Sequence, residues 1–234
     1  MTTTDRPRTT PRPPSRRVRL AAQARRRARR RLLVRVLLGV AAAGLVLFLV
    51  FRAGSGGDDT GPGAAGGPRF AVGQPGPGAE APPIRLPSTQ GGTFDLAQYR
   101  GRTVLLYFQE GVGCEPCWDQ VRDIETRMGE LRGLGVDELV TIAGNPLDLL
   151  QQKAADEALT TPVLADPELT LGDTYDANQY GMMGTSTYGH SFILIDPDGI
   201  IEWRADYGGS PDYTMYVSVD DLVADLRAGL DAGA

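Results

Sequence analysis

Two continuous apolar runs, 103–109 (TVLLYFQ) and 138–144 (ELVTIAG), constrain this chain most, because of what lies between them. A strand that is apolar at every position has no solvated side, so each run requires cover on both faces of its sheet. Between them Trp118, Val121, Ile124, Met128 and Leu131 recur three or four residues apart and predict one helix over about 115–132. The alternation continues with a helix over 146–158, a short helix near 168–176 after PVLAD, and two strands within 191–207 that turn at Pro197-Asp198-Gly199. Ser218 and Asp221 have the spacing of a capping box, opening a helix with Val219, Leu222, Val223, Leu226 and Leu230 inward. Upstream, residues 84–86 and 93–96 flank Gly91-Gly92 and predict a small hairpin. The order β-α-β-α-(α)-β-β-α implies an α/β layer fold, a mixed sheet covered on both faces.

Charge divides the chain unevenly. Residues 1–31 carry twelve Arg against Asp5, a balance of +11; residues 53–234 carry ten basic and 28 acidic residues, a balance of −18. The basic tail has too little to bury and is expected to be disordered. Residues 32–51 (LLVRVLLGVAAAGLVLFLVF) hold one charge, Arg35, and have the length a helix needs to cross a bilayer. Positive charge before the span places the tail in the cytoplasm and the chain beyond residue 51 outside it, in a single-pass cell-membrane protein. The Arg cluster then meets anionic lipid rather than nucleic acid. No A-x-A site comes after the apolar segment and no cysteine stands close behind it, so an uncleaved anchor is expected in place of a signal peptide. Residues 52–79, rich in Gly, Pro and Ala, are expected as a flexible linker, and 80–234 as one folded domain.

Both cysteines, Cys114 and Cys117, stand in one C-x-x-C where the first apolar run gives way to the helix. Four readings compete: inert buried thiols, half a zinc site, a structural disulfide and a redox-active dithiol. Outside the cytoplasm adjacent thiols oxidise. A structural zinc wants four ligands, and only His190 could join the pair. A C-x-x-C loop closes too few residues to constrain an unfolded chain much. The redox dithiol is favoured, since unpaired N–H groups and the helix dipole at the helix start stabilise a Cys114 thiolate. Cys117, one turn in, is placed to resolve a mixed disulfide, and Pro116 suits the first turn because it needs no N–H partner. Glu115 puts a negative charge beside the sulfurs, which raises the thiol pKa and tilts the pair toward a reductant.

The stretch 81–117 resembles the opening of the redoxin, or alkyl hydroperoxide reductase/thiol-specific antioxidant, family of the thioredoxin superfamily. Ala81-Pro82, Leu86, Gly92, Leu96, Tyr99, Gly101, Val104-Leu105-Leu106, Phe108 and the two cysteines carry the likeness, and 191–204 (SFILIDPDGIIEWR) is similar to the family's F-x-I-D-x-x-G-x-I segment. The resemblance spans about 80–228 and implies a thioredoxin-like fold with thiol redox chemistry. It implies a proline (reductases) or often an arginine (peroxidases) six residues before Asp196; this chain has His190, its only histidine. Aligned so, the imidazole faces the sulfurs, where as a cation it would lower the Cys114 pKa and as a base assist exchange; a lone histidine is otherwise an ordinary surface or core residue. Trp118 is read as core or site wall, Trp203 and Tyr207 as sheet packing, and Met182-Met183-Gly184 as core or an apolar lip for partner proteins.

The leading expectation is an enzyme: a membrane-tethered thiol–disulfide oxidoreductase working on protein disulfides in the reducing direction, reset by a membrane electron donor. The alternatives are a thiol peroxidase, in which Cys117 (where the resemblance would put the cysteine of the peroxiredoxins' T-x-x-C, with Cys114 in place of its Thr) or Cys114 attacks peroxide through a sulfenic acid and the other closes the disulfide, and a non-catalytic module with a permanent disulfide. Neither a cofactor nor a metal is expected; Walker, dinucleotide-binding and G-x-S-x-G motifs are missing from the sequence.

Overall fold

The computed structural model describes residues 69–233. The basic tail, the apolar segment 32–51 and most of the linker lie outside the described residues. No helix among the described residues is long and apolar enough to cross a membrane.

Strands β1 (Arg85–Pro87) and β2 (Thr93–Asp95) form the expected antiparallel hairpin. After them come β3 (Val104–Gln109), α1 (Glu115–Thr126), α2 (Met128–Arg132), β4 (Glu138–Ala143), α3 (Leu147–Asp156), β5 (Val163–Ala165), α4 (Gly172–Tyr175), β6 (Ser191–Ile195), β7 (Ile201–Asp206) and α5 (Val219–Gly233). The main sheet runs β5-β4-β3-β6-β7. Strand β3 is central, parallel to β4 and antiparallel to β6, so the sheet is mixed, as read from the sequence.

Two elements differ from expectation. The helix over 115–132 is interrupted at Arg127, whose backbone (φ −110°, ψ 18°) leaves helical values and whose side chain binds Glu130 and Asp220. Strand β5 has no signature in the sequence: three apolar residues are too few to show a period, and pairing with β4 makes them a strand.

Burial follows alternation along β3. Leu105 and Tyr107 face a cluster built with α1 and α5, while Val104, Leu106 and Phe108 face one built with the β1–β2 hairpin, Leu96, Tyr175 and Tyr188. The helices expected on both faces are thus unequal. The cover opposite the long helices is a hairpin, a 3-10 turn at Leu96–Tyr99 and the single turn of α4. Ser218 caps α5 by accepting the Asp221 N–H at 3.1 Å and donating to the Asp221 carboxylate at 2.7 Å.

The expected linker ends earlier than residue 80. Ala71 bridges to Asp206 and Glu80 to Ile200, so 71–80 lies along the free edge of β7. The Phe70 ring packs edge-on against Trp203 and Tyr207, which are sheet packing as expected. Beneath this strap the fully buried Arg204 and Asp206 form an ion pair (Nε–Oδ2 2.8 Å); Asp206 also accepts the Gly73 N–H at 2.7 Å and Arg204 donates to the Pro75 carbonyl. A basic–acidic pair two residues apart on a strand reads as a solvated edge, so only the tertiary cover reveals its burial. The opposite edge, β5, is closed by Ser88 and Thr89. Both free edges of the sheet are therefore occupied by the chain's own segments, which removes templates for pairing with other chains.

Candidate active site

The site stands where β3 ends and α1 begins. The turn between them, 110–114, must redirect the chain within five residues. Gly111 allows this with φ of 93°, and the Cys114 N–H closes the turn on the Gly111 carbonyl at 3.0 Å. Three neighbours pin it. Asn145 Oδ1 accepts the Val112 N–H at 3.0 Å, Trp118 Nε1 donates to the Gly111 carbonyl at 3.0 Å, and Thr187 donates to the Glu110 carbonyl at 3.1 Å. A side chain at Gly111 would overlap the Asn145 amide oxygen, so glycine is required there twice over. Trp118 is fully buried in the core and does not line the pocket beside Cys114; its indole N–H only pins the turn.

Cys114 is the N-cap of α1 and Cys117 sits in its first turn with Pro116 between them. The two sulfurs form a disulfide, with Cα atoms 5.3 Å apart, the ordinary separation for such a bridge. Their exposure differs: Cys117 is 0% exposed, whereas Cys114 is 8% exposed and lines an open pocket of about 330 Å³. Glu110, Gly113, Gly144, Asn145, Met183, Ser186 and Thr187 complete that lining. Cys114 is therefore the sulfur open to the pocket, and Cys117 is enclosed.

The charge beside the pair is not the one expected from Glu115 alone. Lys153, the only lysine in the chain, reaches from α3 to place Nζ 2.9 Å from Glu115 Oε2 and 5.7 Å from the Trp118 ring centre. The carboxylate expected to raise the thiol pKa is held by a cation, which weakens the argument for a reductant.

His190 needs a larger correction. It is fully buried, with Nδ1 3.2 Å from the Tyr107 hydroxyl and its ring edge-on to Tyr107, Phe192 and Tyr207. Burial pushes its pKa down to about 3, with the Met215 backbone opposing to a smaller extent, and Nε2 makes no hydrogen bond. The ring is neutral at pH 7, so the cationic role toward Cys114 is closed to it. Its neighbour Tyr107, its own pKa raised by burial and the Glu110 charge, belongs to the cluster that holds both cysteines, so His190 buttresses the site from behind.

The loop 181–187 forms the outer wall. Its Met182 N–H donates to Glu110 Oε1 at 2.8 Å, and Met182 and Met183 stand 60% and 63% exposed, so the Met-Met-Gly segment is a lip and not core. Asn145 and Thr187 are site residues that sequence reasoning misses. Asn145 lies two residues past the end of β4, where a parallel sheet presents its loops to a site, and that is the one signal that could have found it. Among the described residues, no group of three His, Cys, Asp or Glu side chains could hold a metal ion.

The family model described as AhpC/TSA matches residues 77–204, more than half of the chain. The chain belongs to the AhpC/TSA family. A protein of Mycobacterium tuberculosis (strain H37Rv) named as a candidate peroxiredoxin is 32% identical over 130 residues, 53% of this chain and 81% of that one. Peroxiredoxin Bcp of Escherichia coli K12 is 30% identical over 130 residues, 52% of this chain and 80% of its own length. The crystal structure of peroxidoxin BcpB from Mycobacterium tuberculosis superposes with a TM-score of 0.54 at 18% identity, covering 65% of this chain and 97% of that one. The fold is thus the thioredoxin-like fold of AhpC/TSA proteins, and this member is an oxidoreductase.

Proposed function

We propose that this AhpC/TSA protein is a thiol peroxidase in which Cys114 is the attacking sulfur and Cys117 the resolving one. The observation that carries the reading is the unequal exposure of the two sulfurs in a pocketed disulfide at a helix start. Similarity to proteins named as peroxiredoxins, over four-fifths of their length, supports peroxide as the substrate and reverses the order expected from the sequence. The Cys114 thiolate attacks one oxygen of ROOH; the O–O bond breaks, and RO⁻ takes a proton and leaves as ROH. The Cys114 sulfenic acid then condenses with the Cys117 thiol, forming the disulfide and releasing water. Two electrons and two protons from an external dithiol restore the reduced pair.

Disulfide exchange remains the second reading. It is favoured by the C-x-x-C itself, whose partner sulfur stands within bonding distance, and by the missing arginine at position 190. The tether across a membrane through 32–51, with the redox domain outside the cytoplasm, is part of the proposal and rests on the apolar length and the Arg asymmetry alone.

The test mixes fully reduced full-length protein with hydrogen peroxide and follows oxidation by Trp118 fluorescence. The expected result is oxidation far faster than a free thiol of matched pKa, abolished in Cys114→Ser, with sulfenic acid accumulating in Cys117→Ser. Oxidation no faster than the free thiol would leave exchange as the activity.

A further inference from the structure

Resting on the peroxidase reading, we propose that Asn145 is a catalytic residue whose amide N–H holds the peroxide oxygen over Cys114.

The orientation of the amide is set by its neighbour. The Val112 N–H donates and needs an acceptor, so the atom 3.0 Å from it is Oδ1 and the other arm of the amide is the NH₂ group. Gly111 packs against the Oδ1 arm so closely that no side chain fits, which fixes where the group sits. Asn145 lines the pocket that Cys114 lines, and Nδ2 makes no hydrogen bond among the described residues.

The other polar side chains of that pocket are committed elsewhere. Ser186 donates to the Met183 carbonyl at 2.7 Å, Thr187 donates to the Glu110 carbonyl at 3.1 Å, and Glu110, an acceptor only, takes the Met182 N–H. Among the described residues, no arginine, lysine or histidine lines the pocket. Asn145 Nδ2 is thus the one uncommitted side-chain donor among the side chains that line the pocket with Cys114. When the O–O bond breaks, negative charge builds on the departing oxygen. A donor already fixed by Val112 stabilises that charge without reorganising. Pinning the turn and donating to the substrate are two tasks of one amide, one on each arm.

Asn145→Asp separates them. The aspartate keeps an oxygen for the Val112 N–H and the shape against Gly111, but it cannot donate. Full-length wild type and variant are reduced and reacted with hydrogen peroxide across a pH series, so that rates are compared per thiolate. The same proteins are reacted with neutral 4,4′-dithiodipyridine, which tests the thiolate without an O–O bond. The expected result is a loss on the order of 10²-fold in the per-thiolate peroxide rate, with the dithiodipyridine rate within about threefold of wild type. Asn145→Ala, which removes both arms, is the second variant; the same peroxide loss is expected with lower thermal stability. An unchanged per-thiolate peroxide rate in either variant overturns the assignment, as does an equal loss in both reactions, which would mean the variant acts on the sulfur. Failure of the peroxidase reading is distinct: wild type itself would then react with peroxide no faster than a free thiol.

Discussion

A buried neutral histidine makes stability depend on pH in a direction opposite to that of a salt-bridged one, and His190 offers a clean test. Its folded pKa is depressed to about 3 by burial, whereas in the unfolded chain it returns to about 6.5. The unfolded state therefore binds the proton first as pH falls, and the stability that neutrality contributes is lost below about 6.5. Each pH unit in that window costs about 1.4 kcal/mol, so the deficit relative to pH 8 reaches about 2 kcal/mol by pH 5. His190→Gln keeps a polar partner for the Tyr107 hydroxyl without titrating. Urea unfolding of the oxidised full chain at pH 8, 6 and 5 would measure both proteins. The expected outcome is that the wild type loses about 2 kcal/mol more than the variant between pH 8 and 5, since the carboxylates common to both cancel. Parallel pH profiles would refute the reasoning, because they would mean the ring reaches solvent and titrates equally in both states. The Cys114 thiolate titration at 240 nm is expected to be unchanged in His190→Gln.

Three other perturbations act on particular contacts. Asp206→Ala leaves the Arg204 guanidinium buried and unpaired and the Gly73 N–H without its acceptor, so urea unfolding should show a loss of about 3–5 kcal/mol; Arg204→Leu/Asp206→Leu should cost less than the single change. Gly111→Ala must bear both a left-handed backbone and displacement of the Asn145 amide, about 2–3 kcal/mol together, read as a lower midpoint in the same assay. Lys153→Met frees the Glu115 carboxylate beside the sulfurs, so the Cys114 titration should move to higher pH, and Glu115→Gln in the same chain should restore it.

The strand–helix order and the placement of the cysteine pair can be read directly because both are local. Apolar periods of one, two and 3.6 residues report which sides of an element are buried, and a C-x-x-C between a buried run and an amphipathic helix can only fall at a helix start. Strand β5 is hidden because three residues carry no period. The boundary expected at residue 80 falls too late because the strap over β7 is held by single hydrogen bonds and a buried ion pair, not by a run of apolar residues.

What the sequence by itself determined is therefore the α/β order, the thiol chemistry and its position at the mouth of α1. What only the tertiary structure decided is how that chemistry is tuned: which sulfur is open, that Lys153 holds Glu115, that His190 is neutral, and that Asn145 pins the Gly111 turn. These pairs lie 38 residues apart for Lys153–Glu115, 83 for His190–Tyr107 and 33 for Asn145–Val112. Local propensity says nothing about such partners, since the sheet's crossovers bring them together. Burial then fixes the charge state by removing water, a property of the assembled neighbourhood and of no single residue.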